Sequence, residues 1–335
     1  MNKEPVLKVS GLTTEFRIKG DWYPAIRDLS FEVNANETLA IVGESGCGKS
    51  ITALSVMGLI SKSQGRVASG SINLLGRELL GLKEKEMESI RGNTMAMVFQ
   101  EPMTSLNPVM TIGSQIAEAL RYHRKLSRRQ AGEQALELLD LVKIPSAAKR
   151  FSDYPHQFSG GMRQRVMIAM ALACEPRLLL ADEPTTALDV TIQVQILALL
   201  AESKARSGMG MVFITHNLGV VASIADRVAV MYGGRIIEQA SVDELFDRPT
   251  HPYTEALLRS MPRVDRDRSD LFPIPGQVPP ITEETPGCRY ADRCTMNKEA
   301  RCTREVPPLA PVGGSSTHLA RCWVRAEPIT REALQ

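Results

Sequence analysis

A chain of 335 residues with 43% hydrophobic and 23% charged positions has the balance of a globular protein with a sizeable core, and its length accommodates two domains or one large α/β domain with an appendage. With 40 Lys+Arg against 38 Asp+Glu the net charge is +2, which offers no bulk electrostatic argument for nucleic acid or an anionic membrane as partner. The longest uninterrupted apolar run, residues 166–174, falls far short of a bilayer span, and residues 1–5 carry no apolar signal segment; a cytoplasmic location is expected, with any membrane role supplied by partners.

Residues 6–42 read as antiparallel strands leading into a parallel core, with Leu7, Val9 and Leu12, then Ile26, Leu29, Phe31 and Val33, separated by the turn residues Gly20-Asp21 and Asn34-Ala35-Asn36. Phe16, Trp22 and Tyr23 lie near this start, where an aromatic either stacks on a base or anchors a loop. The apolar run 38–42 is followed by Gly43-Glu44-Ser45-Gly46-Cys47-Gly48-Lys49-Ser50 and then by a helical stretch to about residue 59. Strand, glycine loop, helix is the order a phosphate cradle requires. The glycines turn the backbone so that N–H groups point inward, the helix start adds its positive dipole end, Lys49 reaches the β- and γ-phosphates, and Ser50 supplies an oxygen for Mg²⁺.

After a Ser/Gly-rich segment at 61–70, residues 71–74 and 95–99 read as strands, and Gln100 stands at the carboxyl end of the second, where ligands of doubly wound sheets sit. From about 103 to 173 the pattern is helical without strand signals: 112–123, 127–142 with Ala131, Ala135, Leu138, Leu139 and Val142 on a 3.6-residue period, and a third helix from 161. Ser159 before Gly160 and Gly161 reads as the N-cap of that third helix and a second phosphate-facing point, although on spacing alone Ser-Gly-Gly is equally an ordinary loop. The sheet resumes at 178–181 and ends in Asp182 and Glu183, an apolar strand closing on carboxylates: the first suits a hydrated Mg²⁺ and the second an attacking water. A helix over 191–207, a strand over 211–215 ending at His216, and a hairpin of 228–231 with 235–237 over Tyr232-Gly233-Gly234 follow, the hairpin closing the fold near Gln239 within a first domain of residues 1–248.

Beyond residue 248 the composition shifts. Twelve of the 20 prolines lie between Pro249 and Pro328, and after a short helix at 253–260 too few apolar residues remain for a conventional core. Cys288, Cys294, Cys302 and Cys322 follow as C-x₅-C-x₇-C-x₁₉-C, whereas Cys47 and Cys174 read as loop filler and buried helix residue. In a reducing compartment such a cluster suggests a metal or cluster that supplies cohesion; zinc usually shows tighter C-x₂₋₄-C knuckles, and four free thiols remain an alternative.

These residues together resemble the ATP-binding subunits of ABC transporters across nearly the whole chain. Gly43 to Ser50 is similar to the Walker A loop, 178–182 to Walker B with Glu183 as the catalytic glutamate, Gln100 to the Q-loop glutamine, Ala187-Leu188-Asp189 to the D-loop and His216 to the switch histidine. Ser159-Gly160-Gly161-Met162 resembles the LSGGQ signature, with Phe158 and Met162 as departures, and Asn217 stands where the family more often has Asp. A narrower resemblance, to the subfamily importing di- and oligopeptides and sometimes nickel, rests on residues 100–108, Tyr154-Pro155-His156-Gln157 and the 248–254 stretch that begins a C-terminal extension.

The resemblance implies an α/β fold: a RecA-like P-loop NTPase core with an N-terminal antiparallel β subdomain, a helical insert at about 103–173 and a Cys-containing extension over 249–335. It implies ATP and Mg²⁺ as cofactors, with Ser50, Gln100 and Asp182 around the ion and Phe16 stacking on adenine, Tyr23 being the runner-up. It also implies a [4Fe–4S] cluster on Cys288, Cys294, Cys302 and Cys322. The implied partners are a second, different ATP-binding subunit whose signature loop caps the γ-phosphate, two permeases and an extracytoplasmic binding protein, at the cytoplasmic face of the membrane. Cargo stays open among peptides, nickel or another small solute. A non-transport ABC ATPase of the DNA-repair or ribosome type would carry a long coiled-coil insertion or two fused cassettes, and a module that only binds would not need Glu183 and His216.

Overall fold

The computed structural model describes residues 4–101, 105–186, 188–261, 274–296 and 299–325. The sequence readings at 102–104 and at Ala187 lie outside the described residues. The chain divides into two compact units: Met1–Leu7, Val33–Glu37 and Asn73–Ile214 make up one, and Lys8–Glu32, Thr38–Ile72 and Thr215–Gln335 the other.

The first unit is built on parallel strands. Met95–Val98 pairs with Leu178–Asp182, which pairs in turn with Gly210–Thr215, in the registers Met95 to Leu178 and Leu178 to Gly210. All three are buried along their length. Continuous apolar runs such as Leu178-Leu179-Leu180-Ala181 are what a strand covered on both faces requires. The helical insert is present as expected. Ile112–His123 buries Ile112, Ile116 and Leu120, and Arg128–Leu141 buries Ala131, Ala135 and Leu139, one stripe per helix at 3.6-residue spacing. Ser127 caps the second helix with a reciprocal Gln130 contact, and Ser159 caps the helix Gly160–Leu172 by accepting from the Met162 N–H at 3.4 Å. Cys174 is fully buried just past the end of that helix. A helix at Glu84–Ile90, with no counterpart in the sequence reading, precedes the strand at Met95.

In the second unit the N-terminal antiparallel part consists of two long strands, Leu7–Ile18 and Asp21–Val33, rather than several short ones. They meet at Lys19-Gly20, both with positive φ (52° and 104°), the two-residue turn whose twist matches that of the flanking strands. The strand read at 71–74 is the end of a longer one, Gly65–Leu74, and the helix after the glycine loop is Lys49–Val56. Thr38–Val42 pairs in parallel with Arg227–Tyr232, which forms the expected hairpin with Arg235–Ser241, bulged between Ile236 and Glu238.

The C-terminal extension continues this sheet. Leu319–Ala320 pairs antiparallel with Glu238 and Gln239, and Ala310–Pro311 pairs with Leu319–Ala320. Its apolar groups join the unit's own core: Tyr253 and Tyr290 pack with Val42, Val228, Val230 and Tyr232. Cohesion therefore comes from shared burial, which answers the shortage of apolar residues read in the tail. Glu238, completely buried at the bulge, fixes the segment at its start and near its end. Its carboxylate accepts from the N–H groups of Thr250 (2.7 Å) and His251 (2.8 Å) and from Nε2 of His318 (2.7 Å). Among the described residues no helix is long and apolar enough to cross a membrane.

Candidate nucleotide-binding site

The phosphate loop lies in the second unit. The buried strand Thr38–Val42 delivers the chain to Gly43 at φ 153°, where a Cβ would stand 2.3 Å from the Met231 carbonyl oxygen. Gly48 ends the loop at φ 107°, with the Ala25 carbonyl 3.1 Å from any added Cβ. Both positions demand glycine, for left-handed backbone and for close approach to the neighbouring chain. Gly48 is also the N-cap of Lys49–Val56 and provides no side-chain cap, and the positive end of such a helix attracts an anionic ligand. Lys49 is buried, and its Nζ donates to the carbonyls of Gly43 (2.8 Å) and Glu44 (3.0 Å). Cys47 fills the space beneath the loop, fully buried, and burial pushes its thiol pKa up. His216, exposed and just past the strand Gly210–Thr215, belongs to this unit as well. Asn217 behind it caps the helix Leu218–Ile224, its Oδ1 accepting from the N–H groups of Gly219 (3.0 Å) and Val220 (3.3 Å). Asn and Asp are equal caps, so the departure at 217 preserves the local fold.

The strand-end groups lie in the first unit. Asp182 closes its strand almost completely buried. Glu183 follows in the left-handed region, at φ 47°, with its N–H donating to the Ile214 carbonyl at 2.9 Å. A glutamate held there is strained and persists only because the surrounding chain fixes it. Its Oε2 accepts from Gln100 Nε2 at 3.2 Å and from Thr186 Oγ1 at 2.8 Å. Two candidates separated by 83 residues are thus in contact, and Thr186 is an orienting partner the sequence reading did not name. Its signal was present in the sequence: a hydroxyl three residues past the carboxylate is positioned to turn back onto it.

Ser159, Gly160 and Gly161 line a cleft of the first unit together with Asp189 and Arg165. Asp189 caps the helix Val190–Ser207, accepting from the Ile192 N–H at 2.9 Å, and Arg165 donates to the carbonyls of Val142 and Lys143. Of the aromatic candidates, Trp22 is covered by the Arg66 guanidinium, 4.2 Å from its ring centre. Phe16 and Tyr23 are both half-buried.

The four clustered cysteines require a correction. Cys288, Cys294, Cys302 and Cys322 line one small apolar cavity together with Tyr290 and Trp323, so the topology does gather them. Yet among the described residues no group of three or more His, Cys, Asp or Glu side chains is arranged to hold a metal ion, and the cysteines stand as free thiols. Burial pushes the Cys288 thiol up to about 11 and raises that of Cys322, as an apolar enclosure does. The expectation of an iron–sulfur centre is overturned, and the cavity is a packed apolar junction.

A glycine loop entering an uncapped helix, with a lysine drawn beneath it, defines a P-loop nucleotide-binding protein. The sequence matches the ABC transporter family over residues 26–186 and the C-terminal region of oligopeptide/dipeptide transporters over 237–302. The chain belongs to the ATP-binding subunits of ABC transporters, with an ABC ATPase fold and ATP hydrolysis as its activity. It is 54% identical over 333 residues to a Brucella melitensis protein whose name places it among peptide import ATP-binding proteins, covering 96% of this chain and 98% of the relative. It is 48% identical over 322 residues to the dipeptide transport ATP-binding protein DppD of Bacillus subtilis, covering 96% and 95%. Among solved structures, the dimeric ATP-binding cassette MJ0796 bound to ADP and Pi superposes with a TM-score of 0.64 at 26% identity, over 70% of this chain and 98% of that one.

Proposed function

We propose that this chain is the ATP-hydrolysing subunit of a peptide importer, with an ATPase domain over 1–248 and a transporter-type extension over 249–335. The observation that carries the cargo class is the match of residues 237–302 to the oligopeptide/dipeptide transporter C-terminal region, joined to a complete phosphate loop in the same chain. Lys49 and the N–H groups of 45–50 hold the β- and γ-phosphates, and Phe16 or Tyr23 stacks on the adenine. The hydroxyl of Ser50, the carboxylate of Asp182 and the amide oxygen of Gln100 supply hard oxygens of the kind Mg²⁺ prefers, and the ion held by them would neutralise phosphate charge. Glu183 orients and deprotonates the attacking water, with Gln100 and Thr186 fixing its carboxylate. His216 contacts the γ-phosphate.

Ser159, Gly160 and Gly161 cap the nucleotide of a second ATP-binding subunit, so binding closes a dimer and hydrolysis releases it. The dimer seats two permeases at the cytoplasmic face of the membrane, and an extracytoplasmic binding protein delivers cargo. The MJ0796 cassette, alike in fold, is itself dimeric with ADP and Pi bound, which supports the pairing.

Reconstitution of the chain with its co-purified permeases tests the cargo class. Uptake of a labelled dipeptide into proteoliposomes should require ATP and fall to background with Lys49→Ala. ATP-dependent uptake of nickel in place of peptide would keep the machinery and replace the cargo.

A further inference from the structure

The extension reaches the phosphate loop through one residue of the same unit. Glu44, second in the loop, is engaged at every polar atom it has. Its N–H donates to Tyr253 Oη at 2.8 Å, its carbonyl accepts from Lys49 Nζ at 3.0 Å, and its carboxylate oxygens accept from Arg293 Nη1 and Nη2 at 2.7 and 3.0 Å. Arg293 is only 8% exposed. Its fork is aimed by further bonds to the Pro275 carbonyl (2.7 Å), the Ile274 carbonyl (3.4 Å) and the Tyr232 hydroxyl (3.2 Å). The hydrogen bonds to Glu44 raise its pKa, and the bidentate geometry is one a lysine does not reproduce. Tyr253, completely buried, is locked edge-on between Tyr232 and Tyr290, with ring centres 4.7 and 5.3 Å away.

We propose that the C-terminal extension sets the nucleotide affinity of the phosphate loop, with Arg293 and Tyr253 as positioning residues that act through Glu44. This rests on the reading of Gly43–Ser50 as the nucleotide loop. A carboxylate inside a loop that must accept a polyanion repels its own ligand unless neutralised, and Arg293 neutralises it in place. Tyr253 withdraws the Glu44 N–H from the loop's set of donors and so fixes the direction in which the succeeding N–H groups point. Without the extension, residue 44 would keep its lysine contact and lose the other two.

The test is a titration of the full-length chain with a fluorescent ATP analogue and Mg²⁺. Arg293→Met should weaken binding by about tenfold, the scale of one uncompensated charge beside a bound polyanion. Adding Glu44→Gln to Arg293→Met should recover most of that loss, because the unpaired charge goes with it; Glu44→Gln alone closes the cycle. A purely structural role for Arg293 would leave the double variant as weak as the single, and that outcome overturns the proposal. Tyr253→Phe keeps the buried ring and removes the acceptor of the Glu44 N–H, so it should weaken binding several-fold while lowering the unfolding temperature by only a few degrees; unchanged affinity there would contradict its positioning role. Lys49→Ala in the same titration separates the two readings. Retained binding in that variant would sink the nucleotide-loop assignment itself, whereas wild-type affinity in Arg293→Met beside a silent Lys49→Ala would sink the clamp alone.

Discussion

Glu183→Gln should bind Mg²⁺-ATP about as tightly as the wild type and lose turnover by roughly 10³-fold, within the range removed with a general base. The substitution is nearly isosteric, so the strained backbone at residue 183 and its N–H bond to Ile214 have no reason to change. The Gln100 and Thr186 contacts at 3.2 and 2.8 Å converge on a carboxylate oxygen that an amide oxygen can replace, while the basicity that takes a proton from water is gone. With hydrolysis blocked and binding intact, the ATP-bound closed dimer should accumulate and elute ahead of the monomer in size-exclusion chromatography. Undiminished phosphate release by the variant would remove Glu183 from the reaction.

The second large effect concerns the buried carboxylate that ties the extension to the sheet. Glu238→Ala leaves the N–H groups of Thr250 and His251 and the His318 imidazole without their acceptor in a site closed to water. Breaking such a network from one side costs about 4 kcal/mol. In a unit of this size that lowers the thermal midpoint by roughly 10 °C, measurable by calorimetry. The same cluster makes stability depend on pH. His251 is held neutral, with Nδ1 accepting the Tyr253 N–H at 3.1 Å, and burial lowers its pKa to about 4, helped by Arg325 and opposed by the Glu238 charge. Between pH ~6.5 and ~4 the unfolded chain binds a proton there and the folded chain does not, so stability present above the unfolded value is lost as pH falls, by about 3 kcal/mol at most. His251→Asn retains an oxygen acceptor for Tyr253 and does not titrate; its stability should vary less steeply across that window. A slope equal to the wild type would place the titrating group elsewhere.

The nucleotide elements were legible because each is local. Gly43 to Ser50 specifies its own turn, the apolar runs at 95–98 and 178–181 announce buried strands, and Ser159 sits where an N-cap must. What escaped is non-local. Glu44 and Arg293 are 249 positions apart, and Glu238 and His318 are 80 apart; no periodicity links such pairs. The cysteine spacing was legible as a cluster, and the cavity does collect all four, but spacing carries no information on burial. The surrounding Tyr290, Trp323 and Pro307 hold the thiols in an apolar setting, and that setting decides their chemistry. Asn217 shows the converse case, a departure from the family pattern whose capping oxygen leaves the helix start unchanged.

Phosphate release from the chain assembled with its permeases shows whether the loop around Lys49 drives Mg²⁺-dependent ATP hydrolysis. Turnover should be on the order of 1–100 per second, the range typical of kinases, and abolished by EDTA and by Lys49→Ala. Turnover that survives Lys49→Ala, or an assembled wild-type complex that releases no phosphate, would contradict that role of the loop.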